Sequence, residues 1–96
     1  MGADRGRFIV FEGGEGSGKS TASFAVVHRL EAERIPVLHT REPGGTPAGE
    51  LVRGLLHQPL TPWAELFAFL AARAQLVATV IRPALDRGEN IICDRF

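Results

Sequence analysis

The stretch Gly13-Gly-Glu-Gly-Ser-Gly-Lys-Ser20 decides the fold, because it fits the pattern G-x-x-x-x-G-K-[ST] between an apolar run and a segment with helical periodicity. Glycines let successive backbone N–H groups turn inward around a phosphate, and the N-terminus of the following helix adds partial positive charge. Lys19 can then reach the β and γ phosphates, while Ser20 can place its hydroxyl on Mg²⁺. The alternative is a glycine turn that is merely flexible.

The segments around this loop predict an α/β fold. Three apolar runs are interpreted as strands: residues 8–11, 36–40 and 90–93. Helical patterns cover residues 20–34, residues 46–57 and residues 62 to about 81. Strand, helix and strand in this order make a parallel crossover unit. We therefore expect a P-loop NTPase-type parallel sheet with flanking helices, built as a single domain over residues 1–96.

Two of the predicted helices carry apolar stripes. The stripe of the first helix should pack on the sheet and consists of Ala22, Ala25, Val26, Val27 and Leu30. The long helix carries two stripes, which predicts burial on two sides. These are Leu70, Ala74, Val77 and Ile81, and beside them Leu66, Phe69, Leu76 and Val80. Pro83 should kink this helix or begin a fresh first turn, and Gly88 should end the segment.

The composition narrows the function classes. Eleven basic residues balance 11 acidic ones, so the chain offers no diffuse attraction to nucleic acid or to an anionic membrane. A single cysteine forbids an internal disulfide, residues 1–7 are polar rather than signal-like, and no stretch approaches eighteen consecutive apolar residues. The sequence therefore predicts a cytoplasmic protein without nucleic-acid or membrane partners.

The stretch His39-Thr-Arg-Glu-Pro-Gly-Gly-Thr46 follows the second strand and should lie at the carboxyl end of the sheet, where open α/β sheets bind ligands. Glu42-Pro43 in a tight turn is a candidate cis peptide. Arg41 could clamp a phosphate through two hydrogen bonds. The alternative is a Gly/Pro turn with a solvated arginine.

Phe69 and Arg73 are four residues apart and share one helix face. A flat ring beside a guanidinium can stack on a nucleobase and hydrogen-bond its edge. The alternative is a core phenylalanine with an arginine that reaches the surface.

Two carboxylates are candidates for the site. Glu15 lies inside an anion-binding loop, where it could accept a hydrogen bond from a substrate hydroxyl or point to water. Asp94 follows a buried strand and could hold Mg²⁺ or orient an attacking oxygen, with Arg95 neutralising phosphate charge. A strand-end ion pair without function is the alternative. Cys93 is interpreted as a small buried hydrophobe. His28, His39 and His57 lack metal-ligand spacing and are interpreted as structural or surface residues.

Taken together, these motifs resemble the bacterial thymidylate kinases. The resemblance rests on residues 8–21, on Thr40-Arg-Glu-Pro-Gly-Gly-Thr46, on Phe69-x-x-x-Arg73-x-Gln75, on Pro83-Ala-Leu and on Asp94-Arg95, and it spans essentially all 96 residues. It implies transfer of the γ-phosphoryl group of ATP to dTMP, with Mg²⁺, on a P-loop kinase fold with a five-stranded parallel sheet.

The resemblance also implies roles for single residues. Lys19, Asp94 and Arg95 would be catalytic, and Ser20 and Asp94 would serve the metal. The ATP-binding set would be Gly13, Gly14, Glu15, Gly16, Ser17, Gly18, Lys19, Ser20 and Thr21. The dTMP-binding set would be Glu15 at the 3′-hydroxyl, Phe69 on thymine, Arg73 at its O4, Arg95 at the phosphate, and Arg41 and Pro43 in the turn beside the substrate. A homodimer is expected from the family and from the apolar stripes.

Family members are roughly twice as long as this chain, in keeping with a larger α/β domain. The resemblance therefore implies that the chain matches the N-terminal half of such an enzyme, with the first three of five strands and without the lid over ATP. We expect the 96-residue chain alone to be inactive or nearly so. The alternatives are a phosphate-binding fragment without turnover and a P-loop kinase for another small acceptor.

Overall fold

A parallel sheet of three strands forms the centre of the computed structural model, which describes residues 5–13 and 18–94, with the side chains of Lys19 and Ser20 outside the description. The strands are β1 (Phe8–Phe11), β2 (Val37–Arg41) and β3 (Asn90–Asp94), in the spatial order β1-β3-β2. The predicted strands and their parallel arrangement are confirmed. β2 lies one residue further along the chain than predicted, and β3 extends one residue further, to Asp94.

The register of the sheet aligns the carboxyl ends of the three strands. Asp94 is opposite Phe11 of β1 and also opposite Arg41 of β2. The segments that follow the three strands therefore leave the sheet at the same edge. The loop after β1 begins on one side of Asp94, and the turn after β2 begins on the other side.

Asn90 fixes the opposite, amino-terminal edge. Its side-chain carbonyl accepts a hydrogen bond from the backbone N–H of Arg7 at 2.9 Å, and its side-chain amide donates to the carbonyl of Pro36 at 3.1 Å. The backbone N–H of Asn90 also donates to Pro36, at 2.9 Å. One side chain thus bridges the segments that lead into β1 and β2, which sets the register of both neighbours of β3.

Helices flank the sheet and account for most of the remaining chain. They are α1 (Lys19–Ala32), α2 (Pro47–Leu55), α3 (Pro62–Leu76), a π-helical segment (Val77–Ile81) and α4 (Arg82–Asp86). Thr46 caps α2 by accepting a hydrogen bond from the N–H of Gly49 at 2.8 Å. Pro83 lies in the first turn of α4, as predicted, because a proline tolerates the start of a helix but not its interior.

The core lies between β3 and the helices from α3 to α4. Its buried members are Leu76, Ile81, Ala84, Ile91 and Cys93. Ile91 and Cys93 point to the same face because side chains alternate along a strand, while the equally buried Ile92 points to the opposite face. The prediction that Cys93 is a small buried hydrophobe is confirmed.

The predicted stripe of α1 is partly wrong. Ala22 and Ala25 are exposed, whereas Val26, Val27 and Leu30 are half-buried. Among the α1 side chains that the structure describes, residues 21–32, the fully buried one is Ser23. Ser23 precedes Val26, Val27 and Leu30 by three, four and seven positions and so lies on their face. The small hydroxyl side chain fits against the sheet where the apolar pattern had pointed to alanines.

The expected burial of the long helix on two sides is also wrong for its N-terminal half. Leu66 and Leu70 are exposed, although Leu76 and Ile81 further along are buried. Six large apolar side chains of α2 and α3 are exposed, and we call them together the α2–α3 apolar face: Leu51, Leu55, Trp63, Leu66, Phe67 and Leu70. Leu51 is 79% exposed and Trp63 is 70% exposed, so no described part of the chain covers this face.

The helical stretch Pro62–Asp86, 25 residues long, has the length and apolar composition of a membrane span. A core helix of a globular protein passes the same test. Arg73 interrupts the apolar run and is paired with an acidic side chain, and the C-terminal half packs on the sheet through Leu76 and Ile81. We therefore interpret the stretch as a helix packed on the sheet.

Gly45, in the turn after β2, has a φ of 94° and no room for a side chain. A Cβ there would lie 2.6 Å from Oγ1 of Thr40 and 2.9 Å from Cδ1 of Leu76. We predict that Gly45→Ala lowers the free energy of unfolding by about 1–3 kcal/mol, through the left-handed backbone and the clash. Gly54→Ala is the control, since nothing lies within 4 Å of that position in α2 and alanine favours a helix. Urea unfolding curves measure the stability of both variants. Equal midpoints for Gly45→Ala and Gly54→Ala would contradict this account of the turn.

Candidate functional site

The predicted phosphate loop joins β1 to α1. Gly13 and Gly18 at its two ends have positive φ values of 152° and 84°, and Gly18 is the N-terminal cap of α1. Gly14, Glu15, Gly16 and Ser17 lie outside the described residues, as do the side chains of Lys19 and Ser20. The described backbone therefore has the strand before the loop, a glycine at each end of the loop and the helix N-terminus after it, which is the context that a phosphate loop needs.

Asp94 lies at the carboxyl end of β3 and is paired with a histidine. Its Oδ2 is 3.1 Å from Nε2 of His39 on β2, and both side chains are mostly buried. The His39 ring also meets the edge of the Phe24 ring, with centroids 4.9 Å apart and planes at 88°. Oδ1 of Asp94 is buried without a hydrogen bond to any described residue. His39 therefore orients Oδ2 of Asp94, while Oδ1 has no hydrogen-bond partner among the described residues.

A cavity of about 410 Å³ opens beside this pair. Its lining comes from β2, β3, the turn after β2 and the neighbouring helical segments: Phe24, Leu38, His39, Thr40, Arg41, Gly45, Glu50, Val80 and Asp94. Arg41 is exposed and lines this cavity, so its guanidinium can meet an anion there. The structure thus brings two predicted site residues, Arg41 and Asp94, to one cavity. Arg95 lies outside the described residues.

Phe69 and Arg73 form a second cluster with Glu42 of the turn. Arg73 donates from Nε to both oxygens of Glu42, at 3.0 and 2.8 Å, and from Nη2 to Oε1 at 2.7 Å. The guanidinium carbon of Arg73 lies 5.3 Å from the centroid of the Phe69 ring. The Glu42–Pro43 peptide bond is cis, as the sequence suggested. Hydrogen bonding to Glu42 raises the pKa of Arg73 above its ordinary value, against the opposing effect of burial.

Two residues of the site were missed by the sequence reasoning. His39 was interpreted as structural or surface, yet it orients Asp94. Glu42 was considered only for its peptide bond, yet its side chain is 1% exposed and holds Arg73. The available signal was position: His39 alternates with Arg41 along the strand, and Glu42 lies between two predicted site residues, Arg41 and Pro43.

The described residues can supply one of the oxygen ligands that Mg²⁺ needs beside a bound phosphate. They contain no cluster of three metal-ligating side chains, so a cage made of this part of the chain alone is absent. Mg²⁺ in phosphoryl-transfer sites needs only one or two protein oxygens besides phosphate and water. The buried, unpartnered Oδ1 of Asp94 at the phosphate-loop edge is an oxygen of this kind.

This combination defines a class of protein: an α/β domain of the P-loop NTPase type, with a parallel sheet, a glycine loop at the carboxyl end of β1 and acidic and basic side chains on the neighbouring strands. Comparison with known proteins narrows the class. The family model described as thymidylate kinase matches residues 11–96. The chain belongs to the thymidylate kinase family.

Individual relatives agree with this assignment. The chain is 52% identical to the thymidylate kinase of Pelotomaculum thermopropionicum over 96 residues, which are 96% of this chain and 44% of that protein. It is 54% identical to that of Chromohalobacter salexigens, covering 95% of this chain and 45% of the relative. The crystal structure of the Ehrlichia chaffeensis thymidylate kinase superposes with a TM-score of 0.87 at 42% identity, over 96% of this chain and 54% of that one. The chain therefore spans less than half the length of these two curated relatives.

Burial governs the chemistry of Cys93, which lies beneath the site. Desolvation raises the pKa of its thiol to about 12, with added repulsion from the carboxylates of Glu42 and Asp94. A thiol whose pKa is raised by folding favours the folded state fully below its unfolded pKa, about 8.5, and this contribution is lost as the pH rises through 12.

We predict that Cys93 resists alkylation in the folded chain. At pH 8.5 the folded chain should hold about 10³-fold less thiolate than the unfolded chain, since the thiolate is the nucleophile. Iodoacetamide labelling followed by mass spectrometry, with and without urea, measures the difference. Cys93 is the only cysteine, so the mass shift is unambiguous. Equal labelling rates in the two conditions would show that the thiol is not buried.

Proposed function

We propose that this chain is the part of an ATP-dependent thymidylate kinase that binds the triphosphate of ATP and the base of dTMP. The single observation that carries the proposal is the cluster of Phe69, Arg73 and Glu42 at the same sheet edge as the phosphate loop. An aromatic ring beside an oriented guanidinium suits a flat base with acceptor atoms on its edge. The phosphate loop at the same edge of the sheet suits ATP, the phosphoryl donor of the proposal.

In this proposal the γ-phosphoryl group of ATP moves to a phosphate oxygen of dTMP, which gives ADP and dTDP. Lys19 and the N–H groups of the loop hold the phosphates of ATP. Arg95 and Arg41 hold the phosphate of dTMP, and Glu15 accepts a hydrogen bond from its 3′-hydroxyl. These residues act by positioning and charge neutralisation, because phosphoryl transfer needs little covalent help from the protein.

Ser20 and Asp94 are the residues that would hold Mg²⁺, and Mg²⁺ when bound neutralises charge on the phosphates of ATP. His39 holds Asp94 in the orientation that leaves Oδ1 at the edge of the sheet. The remaining residues of the loop, Gly13, Gly14, Gly16, Ser17, Gly18 and Thr21, form the ATP site of the proposal.

A homodimer is part of the proposal, and the α2–α3 apolar face supports it. Trp63 and Phe67 stack with centroids 6.0 Å apart while both rings remain exposed. Large apolar side chains exposed on neighbouring helices are typical of an interaction site. A cytoplasmic location without nucleic-acid partners is proposed from the balanced charge and from the single, buried cysteine.

The experiment that tests the function is a coupled ADP-release assay with a panel of nucleoside monophosphates. It compares the 96-residue chain with a chain extended to the length of its relatives. We expect the extended chain to prefer dTMP and to lose turnover in Lys19→Ala, because backbone N–H groups cannot replace a fixed charge on the phosphates. Preference for another acceptor, or equal rates in wild type and Lys19→Ala, would contradict the proposal.

The 96-residue chain alone should bind phosphate without measurable turnover. Its match to 44% of the Pelotomaculum thermopropionicum relative and its exposed apolar face support this second candidate function. Loss of one arginine that stabilises the transferring group costs about 10³ to 10⁵ in rate. The lid over ATP that the family resemblance implies falls outside the part of the relative that this chain matches. Activity of the short chain within tenfold of the extended chain would contradict it.

Base stacking gives a separate prediction. Phe69→Ala in the extended chain should weaken dTMP binding by about 1–3 kcal/mol and leave ATP affinity nearly unchanged. Phe67→Ala is the matched control, since it removes the same ring from the exposed face of the same helix. Calorimetric titration measures both, at a concentration where light scattering shows the same oligomer as wild type. An equal loss of dTMP affinity in the two variants would assign Phe69 to packing alone.

A further inference from the structure

Glu42 is the most deeply buried charged side chain among those in the described ion pairs. It follows β2 directly, and its side chain is 1% exposed. A buried carboxylate without a partner is strongly unfavourable, whereas one that is paired and hydrogen-bonded is tolerated. Its partner, Arg73, lies 31 positions further along the chain on a different element. This ion pair therefore joins the turn after β2 to the last turn of α3.

The ion pair fixes the guanidinium in two ways. Nε and Nη2 both donate to the carboxylate, and two contacts on one planar group define the orientation of its plane. The same guanidinium lies over the Phe69 ring at 5.3 Å, which adds a cation–π contact. An arginine side chain otherwise has many rotamers, so a carboxylate that selects one of them removes an ordering cost from ligand binding.

Glu42 is held in place itself. The turn that carries it contains Gly44 and Gly45, where a Cβ would lie 2.2 Å from Oε2 of Glu50 and 2.6 Å from Oγ1 of Thr40. Gly45 is also close to Leu76 and to the carbonyl of Arg41, so the backbone after Glu42 is closely packed there, and the backbone before Glu42 is the paired strand β2. The carboxylate is presented to Arg73 by a rigid segment, which a site needs for defined geometry.

We propose that Glu42 is a positioning residue for base recognition: its carboxylate holds the Arg73 guanidinium beside Phe69, so that an acceptor on the base edge meets a donor already oriented. The inference rests on the proposed function, since it concerns the base of the same substrate. A pyrimidine with a carbonyl at position 4 is accepted by this arrangement. One with an amino group there places a donor against a donor and is rejected.

The test uses the extended chain and four variants: Glu42→Gln, Arg73→Ala, the double variant and Glu89→Gln. Glu42→Gln keeps the shape but removes the charge that orients Arg73. We expect kcat/KM for dTMP to fall about tenfold, mainly through KM, and the preference for dTMP over dCMP to fall by a similar factor. In the Arg73→Ala background the same substitution should change neither quantity further, because Glu42 acts through Arg73.

Glu89→Gln is the matched control. Glu89 accepts a hydrogen bond from Arg87 at 2.6 Å, but it lies just before β3 at the opposite edge of the sheet. It should leave the turnover and the base preference of the enzyme unchanged. If Glu42→Gln fails to fold, as judged by its thermal unfolding curve, Glu42→Asp replaces it. Glu42→Asp keeps the charge and shortens the reach by one methylene, and a loss of base preference is again expected.

The outcomes separate two failures. Equal losses for dTMP and dCMP in Glu42→Gln, or losses that add fully in the double variant, would overturn the positioning role and leave Glu42 a stabilising ion pair. Wild-type enzyme without dTMP turnover would overturn the proposed function, and this inference with it. Selective loss of base preference, abolished in the Arg73→Ala background, supports the inference.

Discussion

The pairing of β3 with both of its neighbours is the constraint on which the rest of the structure depends. β3 lies between β1 and β2, and its Asn90 side chain bridges the segments that enter both strands. Once the amino-terminal edge is fixed, a parallel register leaves no freedom at the other edge, where Asp94 meets both Phe11 and Arg41. The hydrogen bonds of Asn90 at one end of the sheet therefore align the side chains at the other end.

Local sequence signals were sufficient for the elements and for the phosphate loop. β-Branched runs bounded by glycine or charge predicted the strands to within a residue, and Pro83 marked the point where the π-helical segment passes into α4. The family itself followed from motifs in one order, and the match over residues 11–96 confirms it. The order β1-β3-β2 was not predicted, because strand pairing depends on contacts between residues far apart in the chain.

The errors and omissions share a physical cause. Ser23 is buried where alanines were expected, and Leu66 is exposed where burial was expected, because periodicity identifies an apolar face but not the partner that covers it. Glu42 was missed for a related reason. A glutamate before proline and two glycines looks like an exposed turn residue, and only the fold brings Arg73 to it. Ion pairs across 31 positions leave no signature in a single sequence.

Two clusters lie at the carboxyl edge of the sheet, and different contacts hold them in place. Asp94 is on the sheet itself, and its orientation comes from the adjacent strand through His39. Phe69 and Arg73 are on α3, and their connection to the sheet edge runs through the Glu42 turn. The register of β2 and β3 places Arg41 opposite Asp94, so the residues that we propose for the phosphate and the metal share one hydrogen-bonded frame. The pair that we propose for base recognition is joined to the same edge by the Glu42 ion pair instead. In the proposed function, base discrimination and phosphate binding therefore depend on different contacts.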